Sequence, residues 1–175
     1  WAVGAQDAGF RVLTLADIKQ DAVDCCKVNF PQADCYVADF TRPSNWTRLV
    51  SRGPWLACMG TPCPDFSRLG SGQGPQGYSG STSTHIVPFV RSTRLPTYLV
   101  ECVVGLPGFD KGNFKRSVYQ ELAEHGYHVR ERITNGADAC PLAKERWFVE
   151  IIRDDVWQQV AQYTRRHKTV MPMHK

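Results

Sequence analysis

The stretch FRVLTLADIKQDAVDCCKVNFPQADCYVADF (10–40) decides the fold. Apolar, β-branched runs at 10–16 and 34–40 read as strands. Between them the pattern turns helical over roughly 19–29, and Asn29-Phe30-Pro31 stops it, because the residue before a proline avoids the helical region. Working outward, 44–51 reads as a short helix, PWLACMG (54–60) as a strand running into a loop, and TYLVECVV (97–104) as a buried strand. A helix over 113–125 is amphipathic through Phe114, Val118 and Leu122. Strands separated by helices predict an α/β domain with a mostly parallel sheet and helices on both faces. The last two strands, YHVRERI (127–133) and RWFVEII (146–152), alternate. Their link is too short to hold a crossover helix comfortably, so they are expected to form an antiparallel edge pair.

Residues 68–84, RLGSGQGPQGYSGSTST, interrupt this rhythm. So much Gly and Ser predicts a long loop without stable elements. It leaves the carboxyl end of a strand, which is where open α/β sheets bind ligands.

Composition limits the partners. A net charge of +4 permits a nucleic-acid partner without demanding one. The basic run RRHK (165–168) reads as a solvated helix end. Seven cysteines, with no CxxC pair and no Cys/His cluster, argue against a disulfide framework or a structural zinc site. A reducing compartment, the cytosol or nucleus, is expected. No apolar run approaches the roughly 18 residues needed to span a bilayer, and no signal peptide is visible. No metal is expected.

Two segments carry chemistry. In Met59-Gly60-Thr61-Pro62-Cys63-Pro64-Asp65-Phe66-Ser67 a cysteine lies between two prolines just past a strand. Proline fixes φ, so the thiol is held in a defined direction. It is either a nucleophile or the half-buried cysteine of a tight turn. In Pro96-Thr97-Tyr98-Leu99-Val100-Glu101-Cys102-Val103 a carboxylate ends an apolar strand. It must reach solvent, find a partner or cap the next helix. If these two strands are adjacent and parallel, Cys63 and Glu101 share one edge of the sheet.

The ordered set Gly60-x-Pro62-Cys63-x-x-Phe66-Ser67 and Pro96-x-x-x-x-Glu101-x-Val103 resembles the catalytic motifs of DNA (cytosine-5) methyltransferases. Ala8-Gly9-Phe10, Ala16-Asp17-Ile18, Asn29-Phe30-Pro31 and Ala38-Asp39-Phe40 resemble the cofactor half of that family. Lys144-Glu145-Arg146-Trp147-Phe148-Val149 resembles its basic motif. The resemblance covers about residues 4–153. It implies a Rossmann-like S-adenosylmethionine-dependent methyltransferase fold, with a helix over the first ten residues. It also implies DNA as partner, with the target cytosine flipped out of the duplex. Cys63 matches the nucleophile, Glu101 the acid that contacts N3 of the ring, and Arg146 an active-site arginine. Asp17 matches the residue that binds ribose hydroxyls. Ile18 would pack on adenine, Asp39 would accept from its amino group with Phe40 beside it, and Pro62 would lie near the methionine end. The loop after Cys63 would close over the flipped base.

There are departures from the pattern. The family's opening strand and its glycine-rich turn would precede residue 1, so a longer parent protein is expected and cofactor binding by this segment alone should be poor. Leu142 stands in place of a Gln and Lys144 in place of an Arg, while Thr61 and Pro64 replace the usual Pro and Gln. No target-recognition domain follows the last strand, so recognition would come from elsewhere in the parent or from a subunit in trans. A split methyltransferase subunit and a degenerate regulatory or binding module are the alternatives. The compartment implied is the nucleus or the bacterial cytoplasm.

Overall fold

The β-α-β unit at 10–40 is built as its pattern dictates. The computed structural model describes residues 1–61, 64–66, 72–77, 80–135 and 144–166. β1 (Thr14–Asp17) and β2 (Asp34–Val37) pair in parallel, with Thr14 opposite Asp34 and Asp17 opposite Val37. Both strands are shorter than their apolar runs. Residues 10–13 stay outside the ladder, although Leu13 still accepts from the Asp34 amide at 2.9 Å. Between the strands α2 (Gln20–Asn29) carries Asp21 in its first turn and Lys27 in its last, complementing the helix dipole at both ends. It ends at Phe30, as the proline behind it requires.

The second sheet has four strands in the order β3-β4-β6-β5. β3 (Leu56–Gly60) and β4 (Thr97–Cys102) are parallel. β6 (Glu145–Arg153) runs antiparallel to both β4 and β5 (Tyr127–Asn135). The antiparallel pair is therefore present, with β5 alone at the edge and β6 inside the sheet. Burial along β4 alternates: Tyr98, Val100 and Cys102 are buried and their neighbours only half so. The buried set packs on α4 (Ile86–Thr93) through Phe89 and on α6 (Asn113–Glu124) through Leu122, forming the main core with Trp147, Val149 and Ile151. The opposite face is covered more thinly. Trp1, just before α1 (Ala2–Asp7), meets Phe148 edge-on at 5.7 Å, and Trp157 of α7 (Asp154–Arg166) stacks on His128 at 4.0 Å. α6 gives way to β5 at Gly126, whose φ of +79° suits a residue without a Cβ.

The Gly/Ser-rich stretch departs from expectation. Among its described residues, Gly74–Gln76 and Gly80–His85 form 3₁₀ turns, and the second leads into α4, a helix the sequence pattern did not single out. α3 (Trp46–Val50) follows a 3₁₀ turn as anticipated, and α5 (Gly105–Gly108) follows β4.

Among the described residues the two sheets do not pair with each other. β1 and β3 each pair on one side only, and Thr14–Asp17 and Leu56–Gly60, consecutive residues along both strands, line a single groove of about 660 Å³. Consecutive residues point to alternating faces, so a groove touching all of them looks onto the strand edges. Among the described residues no helix is long and apolar enough to cross a membrane.

Candidate active site

β3 and β4 end together. Gly60 is opposite Glu101 in the parallel register. Just beyond, the amide and the hydroxyl of Thr61 both donate to the Glu101 carbonyl at 3.0 Å, clamping the exit of β3 to the end of β4. Pro62 and Cys63 follow in sequence, ahead of the described turn Pro64–Phe66. Both lie outside the described residues. Burial pushes the thiol of Cys58, inside β3, up.

The Glu101 carboxylate does not cap a helix. Its Oε1 lies 2.6 Å from Nε of Arg146, and both side chains are about one-quarter exposed. The reversed direction of β6 makes this contact, since it brings the first residues of that strand to the edge where β4 ends. Arg146 also donates from Nη1 to the Glu145 carbonyl at 2.8 Å. Gly60 leaves the room: a Cβ there would stand 3.6 Å from Glu101 Oε2 and 3.3 Å from the Trp1 indole nitrogen. Trp1 and Thr61 were not picked out as site residues. A lone aromatic carries no spacing signal, and Thr61 is marked only by replacing a more usual proline.

The expected cofactor residues fall at the carboxyl end of the other sheet. Asp17 closes β1 and lines the groove, with Oδ1 accepting the Lys19 amide at 2.9 Å ahead of α2. Ile18 beside it is 55% exposed, an unusual position for an isoleucine unless something covers it. Asp39 is engaged locally. Its Oδ1 accepts from the Thr41 hydroxyl at 2.7 Å and the Thr41 amide at 2.9 Å, and these bonds, with Arg42 nearby, hold its carboxyl below the usual range. Phe40 lines the groove and packs against Trp46 and Phe89. The structure thus brings together Glu101 and Arg146 directly, and lays Asp17 and Phe40 along one groove with Gly60 and Thr61.

The segment after the cysteine is anchored from two sides. Phe66, in the turn Pro64–Phe66, packs edge-on against Phe109, and its carbonyl would lie 2.0 Å from a Cβ on Gly105, just past β4. Asp65 is buried, and its Oδ2 accepts the Gly80 amide at 2.7 Å.

The sequence matches a known family. The profile of the C-5 cytosine-specific DNA methylases matches residues 1–173. The chain belongs to that family. Its resemblance to individual DNA methylases is distant. It is 27% identical over 96 residues to the type II methyltransferase M.MspI of Moraxella sp., covering 54% of this chain and 23% of that protein. It is 24% identical over 151 residues to M.BsuRI of Bacillus subtilis, covering 84% of this chain and 33% of that protein. The chain thus spans a third or less of these methylases. In fold it is similar to a candidate DNA modification methyltransferase encoded within an E. coli prophage, with a TM-score of 0.71 at 18% identity over 89% of this chain and 44% of that one. The fold is the Rossmann-like S-adenosylmethionine-dependent methyltransferase fold.

Proposed function

We propose that the chain is the catalytic domain of a DNA cytosine-5 methyltransferase, acting on a cytosine flipped out of the duplex, with its opening strand and target-recognition domain outside the 175 residues. The observation that carries this is the Glu101–Arg146 pair. It stands at the carboxyl edge of two parallel strands, one of which is followed in sequence by Pro62 and Cys63, in a chain of the DNA methylase family.

Carbon 5 of cytosine is too weak a nucleophile to accept a methyl group unaided. The Cys63 thiolate adds to carbon 6, and the displaced electron pair makes carbon 5 nucleophilic. Glu101 contacts N3 and stabilises the charge that develops on the ring. Arg146, whose guanidinium already holds Glu101, steadies that carboxylate and offers donors to the base or a neighbouring phosphate. After methylation, loss of the carbon 5 proton expels the thiol. The base has to leave the stack for a side chain to reach carbon 6.

S-adenosylmethionine, when bound, supplies the methyl group. The residues present suit it. Among the described residues one Asp17 oxygen accepts the Lys19 amide, and the other would meet ribose hydroxyls. Ile18 offers exposed apolar surface for adenine; Asp39 and Phe40 would lie beside it, and Pro62 would serve the methionine end. The groove between β1 and β3 fits one further parallel strand, and Thr14 Oγ1, on its wall, is buried without a hydrogen-bond partner among the described residues. DNA recognition would come from the rest of a longer chain or from a subunit in trans, inside the cell.

Covalent trapping tests the reading. The chain, and a version extended upstream by a strand and a glycine-rich turn, is mixed with S-adenosylmethionine and an oligonucleotide carrying 5-fluorocytosine, which blocks the final proton loss. A denaturation-resistant adduct that disappears in Cys63→Ala is expected. Its absence from both versions would remove the catalytic reading.

A further inference from the structure

We propose that Asp65 is a positioning residue that ties the turn Pro64–Phe66, which follows Cys63 in sequence, to the turns Gly74–Gln76 and Gly80–His85. The inference rests on the reading of Cys63 as the nucleophile, two residues upstream.

A carboxylate this buried is costly unless its oxygens are met by donors. Asp65 is 6% exposed, inside a motif otherwise made of small residues, prolines and one phenylalanine. Its Oδ2 accepts the Gly80 amide at 2.7 Å, short for an N–H···O bond, as expected when the acceptor is charged. The backbone around it is shaped to let the carboxylate in. A Cβ on Gly77 would stand 2.2 to 2.6 Å from the three carboxyl atoms of Asp65, and one on Gly80 would stand 1.8 Å from the Gly74 carbonyl. Gly77 in turn donates to Gly74 O at 3.1 Å and accepts from Ser81 at 2.9 Å. Ser83, 2% exposed, donates to the Gly80 carbonyl at 2.6 Å. Three turns, Pro64–Phe66, Gly74–Gln76 and Gly80–His85, thus close around one carboxyl group. Phe66 fixes the same segment to the core on its other side, against Phe109 and Phe114. Cys63 is therefore followed in sequence by two anchors. Phe66 is held by burial, and Asp65 by a hydrogen bond to a segment fifteen residues away. The glycines of this stretch serve that approach, at least at 77 and 80, rather than looseness.

The test uses the 175-residue chain and needs neither DNA nor cofactor. The rate of Cys63 alkylation by iodoacetamide is followed by peptide mass spectrometry, which separates it from the other six cysteines, together with the thermal midpoint. Buried Cys102 reports global opening. Asp65→Ala is expected to raise the Cys63 rate roughly tenfold or more, the change in local opening that loss of a charge-assisted hydrogen bond produces. The Cys102 rate should stay put. Asp65→Asn, which keeps shape and one acceptor oxygen, should restore much of the wild-type rate. Gly77→Ala should mimic Asp65→Ala, and the double variant should be no worse than either, because the methyl and the carboxylate compete for one space. Ser83→Ala, in the same turns but away from the carboxylate, should lower the midpoint without moving the Cys63 rate. An unchanged Cys63 rate in Asp65→Ala overturns the proposal. So does a rate that tracks the midpoint across all variants including Ser83→Ala, which would make Asp65 a packing group only. Failure of the 5-fluorocytosine adduct, with these alkylation results intact, would instead count against Cys63 as the nucleophile.

Discussion

At the scale of single residues, the Glu101–Arg146 contact is the most consequential geometry in the molecule. Both groups are partly shielded from water, so neither is readily replaced by solvent when its partner is lost. In a transfer-competent parent, Glu101→Gln and Arg146→Gln should each lower the rate of adduct formation by roughly a hundredfold, the scale of a positioned acid–base group. The double variant should be little worse than either single one, because the two act as a unit. Full additivity in rapid-quench assays would separate their roles. Arg146→Lys should recover only part of the rate, since an ammonium cannot reproduce the planar fork. Glu101 was legible in the sequence as a carboxylate stranded at the end of an apolar strand. Its partner was not deducible from spacing. Arg146 was marked only by resemblance, because the contact depends on β6 lying beside β4, a neighbour relation that no local pattern encodes.

At the scale of elements, Glu131 joins α6, β5 and β6. Its Oε1 takes Lys115 Nζ at 2.8 Å, and its Oε2 takes the Tyr119 hydroxyl at 2.8 Å and the Trp147 indole at 2.7 Å. Burial pushes its carboxyl up, but these three donors outweigh that and hold it below the ordinary 4.5. Tyr119, buried and facing that carboxylate, is pushed up and stays a donor. The sign follows from linkage: a depressed carboxyl contributes stability above its unfolded value and loses it as pH falls through the folded one. Thermal midpoints of the wild type should therefore fall more steeply below about pH 4.5 than those of Glu131→Gln, and the two curves should draw together in acid. Parallel curves would show that Glu131 contributes nothing through its charge. Helices α2 and α6 and the strands around them could be read from periodicity, because each buries one clear face. α4 could not: it follows a Gly/Ser-rich stretch whose composition suggests only loop, and it forms because Ile86, Val87, Phe89 and Val90 find the core.

At the scale of the whole molecule, the sequence pointed to a mostly parallel sheet, yet the strands form two separate ladders with a groove between them. No local pattern carries this, since each strand looks ordinary by itself; the signal for it was the resemblance, which sets the family's opening strand ahead of residue 1. An upstream extension of five or six Val/Ile-rich residues, joined to Trp1 by a glycine turn, should raise the thermal midpoint and slow amide exchange at both 14–17 and 56–60. A Ser/Gly extension of equal length should do neither. Protection on one side only would mean that the added strand extends one sheet without bridging to the other. The reversed course of β6 has a further consequence during synthesis. Glu101 leaves the ribosome well before its partner strand, and β4 must wait, paired only with β3, until the chain reaches Arg153 and turns into α7. For that interval one flank of a strongly apolar strand is open to wrong partners. Slowing translation between residues 102 and 153 should therefore lower the folded yield more than slowing it after residue 153.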